Sequence, residues 1–174
     1  MSASMQASPG TLATQGVPSA EDLAKVTPPA ERRARGPVVM IECFQRIPCD
    51  PCHYGCRFGA IKAFADINDT PVVDWDECTG CGLCVAACPG LAIFVVDETA
   101  GADECLIAVP YEMSSVPSKG TTVKLLDRGG VEVGKGLVER VIQGRKPEGT
   151  TVAWLRAPKR FSLVVRGFRV GEAE

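Results

Sequence analysis

Four cysteines in the middle of the chain, each two or three residues apart, constrain its folding more than any other feature. They are Cys78, Cys81, Cys84 and Cys88, and Pro89 follows the last of them. Three thiolates spaced in this way can bind one small inorganic core only if the backbone curls tightly around it, and Gly80 and Gly82 permit such a turn. The spacing C-x2-C-x2-C-x3-C-P is typical of loops that bind a 4Fe-4S cluster.

A second group of four cysteines lies upstream and is an altered copy of the first. A shift of 32 residues relates the two groups at three positions, Cys49 with Cys81, Cys52 with Cys84, and Cys56 with Cys88. The same shift places Arg46 where the copy should have its first cysteine, and the chain supplies Cys43 instead. We therefore predict two iron–sulfur clusters, the first of them bordered by an enlarged loop.

Zinc and disulfides are the other common uses of closely spaced cysteines. Structural zinc sites pair two C-x2-C knuckles, whereas both groups here carry further cysteines that zinc does not need. Disulfides require an oxidising compartment, and residues 1–36 contain no apolar stretch of a secretory or twin-arginine signal. Since no run of about 18 apolar residues could span a membrane, we expect a soluble, cytoplasmic protein without membrane insertion.

Composition and charge divide the 174 residues into three parts. Residues 1–36 are rich in Ser, Ala and Pro and are predicted to be an extended or disordered arm, which a partner subunit could order. Residues 37–112 hold the eight cysteines and an excess of acidic residues, so we predict a cluster-binding domain there. Residues 113–174 are basic and contain short β-type segments between turns, which predicts a small antiparallel β-barrel and an α+β fold class.

Six segments have the pattern of β-strands. They are residues 38–42, 70–74, 121–126, 131–141, 151–155 and 161–168. Gly134 and Gly136 lie inside one of these segments and predict a bulge or a barrel corner there.

Three features outside the two cysteine groups could suggest other chemistry. A basic barrel suits nucleic acid, but the aromatic side chains needed to stack bases are few and are predicted to lie in the core. Docking of a partner subunit is therefore the favoured role for this surface. His53 has no nucleophile beside it in sequence and is predicted to pack next to a cluster, and Cys105, in an apolar run, is predicted to be a buried, unreactive thiol.

Residues 74–93 closely resemble the bacterial two-cluster ferredoxins. The resemblance implies a ferredoxin-like dicluster domain in which the fourth cysteine of each repeat binds the other cluster. One cluster would then be bound by Cys43, Cys49, Cys52 and Cys88, and the other by Cys78, Cys81, Cys84 and Cys56. The altered position of Cys43 leaves a 3Fe-4S cluster, or a fourth ligand such as His53, as the alternative for the first.

A looser likeness extends over about residues 37–170. The strings Ile41-Glu42-Cys43, Val109-Pro110-Tyr111-Glu112 and Leu126-Asp127-Arg128 resemble the small ferredoxin-type subunits of multi-subunit FAD-dependent dehydrogenases of amino and imino acids. The resemblance implies an electron-transfer subunit with no catalytic side chains, and FAD or FMN in a larger partner. Two other hypotheses stay open: a free soluble ferredoxin, and an iron–sulfur regulator or RNA-binding protein that uses the basic barrel.

Overall fold

Seven β-strands form one antiparallel sheet in the computed structural model, which describes residues 11–144 and 149–171. The strands are β1 Val38–Ile41, β2 Ile93–Asp97, β3 Glu104–Tyr111, β4 Thr122–Leu126, β5 Glu132–Ile142, β6 Thr151–Pro158 and β7 Gly167–Val170. They lie in the order β1-β2-β3-β6-β5-β4-β7. The long β3–β6 pair thus joins the first half of the chain to the second.

The helices are short and lie outside the sheet. They are α1 Thr11–Gln15, α2 Ala20–Val26, α3 Ala30–Arg33, α4 Pro51–Gly55, α5 Leu83–Ala87 and a 3-10 turn at Lys159–Phe161. The described residues contain no helix with the length and apolar composition of a membrane span.

Strands β1, β2, β3 and β6 are largely buried on both faces of the sheet, whereas β4 and β5 keep one face exposed. Successive side chains of a strand point to opposite faces. In β3, Ile107 and Val109 belong to one core, and Ala108 between them belongs to the other. The first core draws on β2 to β7, whereas the second packs the sheet against the cysteine segments and includes Cys52 and Cys84. Burial on both sides explains why β3 is apolar almost throughout and does not alternate with polar residues.

Four of the predicted strands lie near their expected positions, as β1, β4, β5 and β6. The predicted bulge is present as well, because Leu125 pairs with Gly134 while Leu126 pairs with Glu132. The glycine at position 136 allows a close approach, since a Cβ there would lie 2.7 Å from the Arg156 carbonyl oxygen.

Two other strand predictions differ from the structure. Residues 70–74 contribute only a single bridge between Val73 and Ile61, because Pro71 lacks an N–H for a ladder. Residues 161–168 are not one strand, since the N–H groups of Val164 and Val165 both bond to the Phe161 carbonyl and turn the chain before β7. Strands β2 and β3 were not predicted.

The part of the predicted arm that the structure describes, residues 11–36, contains three short helices and is not extended. Residues 1–10 of that arm lie outside the described residues. Helix α2 begins with a capping box in which Ser19 and Asp22 satisfy each other's backbone N–H groups. Arg33 then reaches the body of the protein, where its Nε lies 3.0 Å from the Glu98 carboxylate.

The predicted boundary near residue 112 falls after β3 and does not interrupt the sheet. Eight residue pairs of β3 and β6 connect the predicted cluster domain with the predicted barrel. The division into a dicluster domain and a separate barrel therefore stays a prediction, and the sheet itself runs through both.

Candidate metal centre

Two short helices place the cysteines on one side of the sheet. Helix α4 carries Cys52 and ends at Cys56, and α5 carries Cys84 and ends at Cys88. The N–H of Cys56 bonds to the His53 carbonyl, and the N–H of Cys88 bonds to the Val85 carbonyl. Each helix therefore ends in one closed turn at its last cysteine. The two helices are thus equivalent pieces of the sequence repeat.

Gly80 shows how tightly the loop before α5 is folded. Its φ is +65°, a conformation that L side chains rarely adopt. A Cβ at this position would lie 2.4 Å from the Pro37 Cβ and 2.6 Å from the Pro37 carbonyl carbon. Only glycine fits between the cysteine loop and the residue that precedes β1.

One set of thiols surrounds Cys84. Burial, followed by the nearby thiols, raises the pKa of Cys84 far above its ordinary value. Those neighbours are Cys78, Cys81 and Cys56. We call these four residues the Cys78 group; within it Cys84 is buried and Cys81 is exposed.

The other set of thiols surrounds Cys88. Burial and the charge of Cys88 raise the pKa of Cys43, Cys49 and Cys52, the last of them to about 11. Cys52 also senses Cys49 and Cys43. We call Cys43, Cys49, Cys52 and Cys88 the Cys43 group. These mutual influences are compatible with the two sets that the resemblance implied; the assignment of the thiols to two clusters, Cys43 included, stays a prediction.

Backbone donors point at two of the sulfur atoms. The N–H groups of Val39 and Gly80 donate to the Cys78 Sγ at 3.4 Å, and the N–H of Ala92 donates to the Cys88 Sγ at 3.5 Å. Such bonds favour a thiolate over a thiol, because they stabilise negative charge on sulfur. Both groups therefore have donors suited to a metal-bound thiolate.

The residues around the thiols fit an iron–sulfur cluster in a second way. The indole N–H groups of Trp75 and Trp154 are buried without an acceptor, and both rings pack in the core that contains the cysteines. A buried donor without a partner is costly. The sulfide of a cluster would offer an acceptor for such an indole N–H. The described residues contain no group of three His, Cys, Asp or Glu placed to share one metal ion; a 4Fe-4S cluster requires one thiolate at each of four irons.

His53 lies in α4 and not in a loop. Its Nδ1 is 2.9 Å from the Ile61 carbonyl oxygen, and its ring packs edge to face on Tyr54. This position is compatible with the predicted packing role. Cys105 lies in β3, fully buried in the core opposite the other eight cysteines.

A buried ion triplet next to Cys43 was not predicted from the sequence. Arg128 makes a two-pronged contact with Glu42, at 2.7 Å for each pair of atoms, and the Arg166 Nε lies 2.6 Å from the same carboxylate. The side chains are 14%, 7% and 4% exposed for Arg128, Glu42 and Arg166. We call these residues the Glu42 triplet. Their contacts span 86 and 124 residues, so no local pattern could have indicated them.

Two members of the Glu42 triplet, Glu42 and Arg166, have shifted pKa values and are charged at neutral pH. Burial opposes ionisation of Glu42, but the hydrogen bond from Arg128 and the charges of both arginines hold its pKa below the ordinary value. Burial lowers the pKa of Arg166 to about 10, which still leaves it protonated at pH 7.

A second buried arginine anchors the loop of the Cys78 group. The guanidinium of Arg32 in α3 donates to four backbone carbonyls, those of Gly36, Pro37, Trp75 and Cys78. Arg35 contacts Asp76 nearby, but this pair is exposed. The sequence did not indicate these contacts, because the acceptors are backbone atoms without a sequence signature.

The middle of the chain contains a 4Fe-4S binding domain, since residues 71–94 match that family. The chain is 37% identical over 67 residues to the thiosulfate reductase electron transfer subunit PhsB of Salmonella typhi, a match that covers 36% of this chain and 34% of that protein. It is 35% identical over 63 residues to the ferredoxin-type protein NapF of Haemophilus influenzae, which covers 34% of this chain and 36% of that protein. The chain thus spans about a third of the length of these curated relatives. No solved structure matches the chain.

The family match supports a 4Fe-4S cluster in this chain. One relative is named an electron transfer subunit and the other a ferredoxin-type protein. The matched segment includes Cys78, Cys81, Cys84 and Cys88 but not the upstream cysteines. The number of clusters and the nature of the partner therefore belong to the proposal that follows.

Proposed function

We propose that this protein is an iron–sulfur subunit that relays single electrons through two 4Fe-4S clusters, to or from a larger FAD- or FMN-containing dehydrogenase. The observation that carries the proposal is the placement of the thiols: Cys56, Cys78, Cys81 and Cys84 line one cavity, and Cys43, Cys52 and Cys88 pack in the core beside it. A 4Fe-4S cluster takes up and returns one electron, and its surroundings set its potential.

The side chains of this chain would bind, shield and tune the clusters. The two groups share one core, in which Ile61 and Ile93 are each 1% exposed and are buried together with Cys52 and Cys84. The N–H groups of Val39 and Ala92 donate hydrogen bonds to the Cys78 and Cys88 sulfur atoms, and such bonds are a means by which a protein tunes a cluster. No substrate pocket is required for such a role.

Exposed apolar residues near the cysteines support a docked subunit over a freely diffusing carrier. Tyr54 and Phe58 are 78% and 50% exposed, and each lies two residues from Cys56. Phe58 and Leu83 line the same cavity as the Cys78 group. Apolar side chains in such a position are typical of a surface that another protein covers. The relative in Salmonella typhi is named an electron transfer subunit, and the flavin partner rests on the family resemblance.

The pairing of basic side chains favours protein docking over nucleic-acid binding. Lys124 pairs with Glu132 at 3.2 Å, Lys119 pairs with Glu139, and Arg156 contacts Glu104 and Glu139. A phosphate backbone would have to compete with these carboxylates. Arg145, another basic residue of this region, lies outside the described residues.

The test of the two-cluster proposal is reconstitution of the full chain with iron and sulfide under anaerobic conditions. We expect about eight irons and eight sulfides per chain, and a reduced-state electron paramagnetic resonance spectrum of two interacting clusters. Cys43→Ser should disturb one cluster and leave the other intact, whereas Cys105→Ala should leave both unchanged. A wild-type protein with only four irons, or an unaltered two-cluster spectrum in Cys43→Ser, would contradict the proposal.

The partner is tested with the tagged full chain purified from its own cells. A co-purifying polypeptide should carry a flavin, and an amino or imino acid should reduce both the flavin and the clusters. Recovery of the chain alone at every salt concentration would favour a free ferredoxin instead.

A further inference from the structure

One member of the Glu42 triplet, Glu42 itself, is connected to two members of the Cys43 group. Glu42 precedes Cys43 in the chain, and its N–H bonds to the Ala92 carbonyl at 2.8 Å. The N–H of Ala92 in turn donates to the Cys88 Sγ. Glu42, Cys43, Arg128 and Arg166 also line one common cavity. A change in the position of Glu42 would therefore be transmitted to Cys43 along the chain and to Cys88 through Ala92.

Its arginines come from the far end of the sheet. Arg128 lies in the turn between β4 and β5, and Arg166 lies just before β7. Arg166 is fixed by further contacts: it donates to the Val165 and Ser162 carbonyls and stacks on Phe94 at 4.9 Å. Residues next to β4 and β7 thus contact the start of the enlarged cysteine loop.

The triplet itself, with two arginines and one glutamate, has a net charge of +1. Asp127 lines the same cavity, and its carboxylate accepts hydrogen bonds from the N–H groups of Gly129 and Val131. Reduction of a cluster adds one negative charge, so a nearby positive charge stabilises the reduced form and raises the potential. Because these side chains are nearly buried, solvent and salt screen their charge less than they screen exposed pairs. The enlarged loop lacks the regular first cysteine. The arginines of the Glu42 triplet contact the residue that immediately precedes Cys43, at the start of this loop.

We propose that Glu42, Arg128 and Arg166 are positioning residues that hold Cys43 in place and whose net positive charge raises the reduction potential of the cluster bound by the Cys43 group. This inference rests on the proposed function, because it requires that cluster. It assigns part of the basic C-terminal region to tuning one cluster within the subunit.

Charge substitutions test the inference through the sign of the potential change. In the reconstituted full chain, Arg128→Gln should lower the potential of this cluster. Arg128→Lys should change that potential much less, because the positive charge remains. Glu42→Gln should raise the potential, since two positive charges are then unopposed. The cluster of the Cys78 group should move much less in each variant. The measurement is a redox titration followed by electron paramagnetic resonance.

Arg156→Gln is the matched control, because Arg156 also contacts two glutamates but lies in β6 outside the triplet. It should shift neither potential. Equal shifts in Arg128→Gln and Arg128→Lys, shifts of the same sign in Arg128→Gln and Glu42→Gln, or equal shifts at both clusters would overturn the inference. If Glu42→Gln does not fold, the Gln and Lys variants at Arg128 decide alone. A wild-type chain lacking this cluster would overturn both the inference and the two-cluster proposal, whereas two clusters with unmoved potentials would overturn the inference only.

Discussion

The Cys43 group and the Cys78 group contain the same number of thiols but are held by opposite ends of the chain. The loop of the Cys78 group is fixed from the N-terminal side, by Arg32 and by the close contact of Gly80 with Pro37. The loop of the Cys43 group is fixed from the C-terminal side, by Arg128 and Arg166 through Glu42.

This difference shows how a repeat can diverge without losing its chemistry. The Cys78 group keeps the compact spacing, so one buried cation bonded to backbone carbonyls is enough to hold its loop. The Cys43 group has a longer loop, and its anchor is a carboxylate shared by two arginines, one from the β4–β5 turn and one from just before β7. A single buried ion pair gains little net energy, but it fixes the geometry of a loop that the sequence repeat no longer specifies.

Removal of iron should produce the largest change in local stability, because it affects both groups of thiols. It should disturb the second core, which packs against the cysteine segments, and not the first. The second core includes or is packed by six of the eight cysteines of the two groups, whereas the first contains Cys105. We expect residues 43–91 of the chelated protein to exchange amide hydrogens roughly 100-fold faster or more, while β3 and β6 stay protected. Hydrogen exchange with mass spectrometry measures this. Equal loss of protection in β3 and β6 would show that the clusters stabilise the whole sheet.

Substitution of Gly80 tests the tight loop of the Cys78 group. Gly80→Ala should cost about 2–5 kcal/mol, the sum of left-handed strain and overpacking against Pro37. Gly59→Ala is the control, since Gly59 has a similar φ of +70° but open space around it, and should cost only about 1–2 kcal/mol. Urea denaturation of the reconstituted proteins compares them. Equal costs would mean that Pro37 moves away readily.

Loss of the Arg32 anchor should weaken the same loop from its other side. Arg32→Met leaves four carbonyls without their donor, so we expect a loss of about 2–4 kcal/mol and easier release of iron from the Cys78 group. Arg35→Met removes an exposed ion pair and should cost less than about 1 kcal/mol. Chelation kinetics combined with denaturation separate the two effects. Loss of iron from the Cys43 group first would break the contrast between the anchors.

The sequence predicted the two sets of thiols but not what holds them. Cysteine spacing reports local backbone geometry, so the members of each set followed from the repeat and the ferredoxin resemblance. The anchors depend on contacts between distant residues, such as Arg166 with Glu42, and on backbone acceptors that any residue could supply. Strands β2 and β3 were overlooked for a different reason. Burial on both faces removes the alternation of apolar and polar residues by which a strand is recognised.

The smallest effect should come from the ninth cysteine, which lies on the other face of the sheet from the two groups. Burial raises the pKa of Cys105 to about 11, so the thiol stays protonated at neutral pH and should resist alkylation in the folded protein. Cys105→Ala removes one buried atom and a weak contact with the Ala157 carbonyl at 3.5 Å, which should cost about 1 kcal/mol. Iodoacetamide labelling and urea denaturation measure the two expectations. Rapid labelling of Cys105, or an altered cluster spectrum in Cys105→Ala, would show that the two faces of the sheet are coupled and that the ninth thiol takes part in the metal chemistry of the other eight.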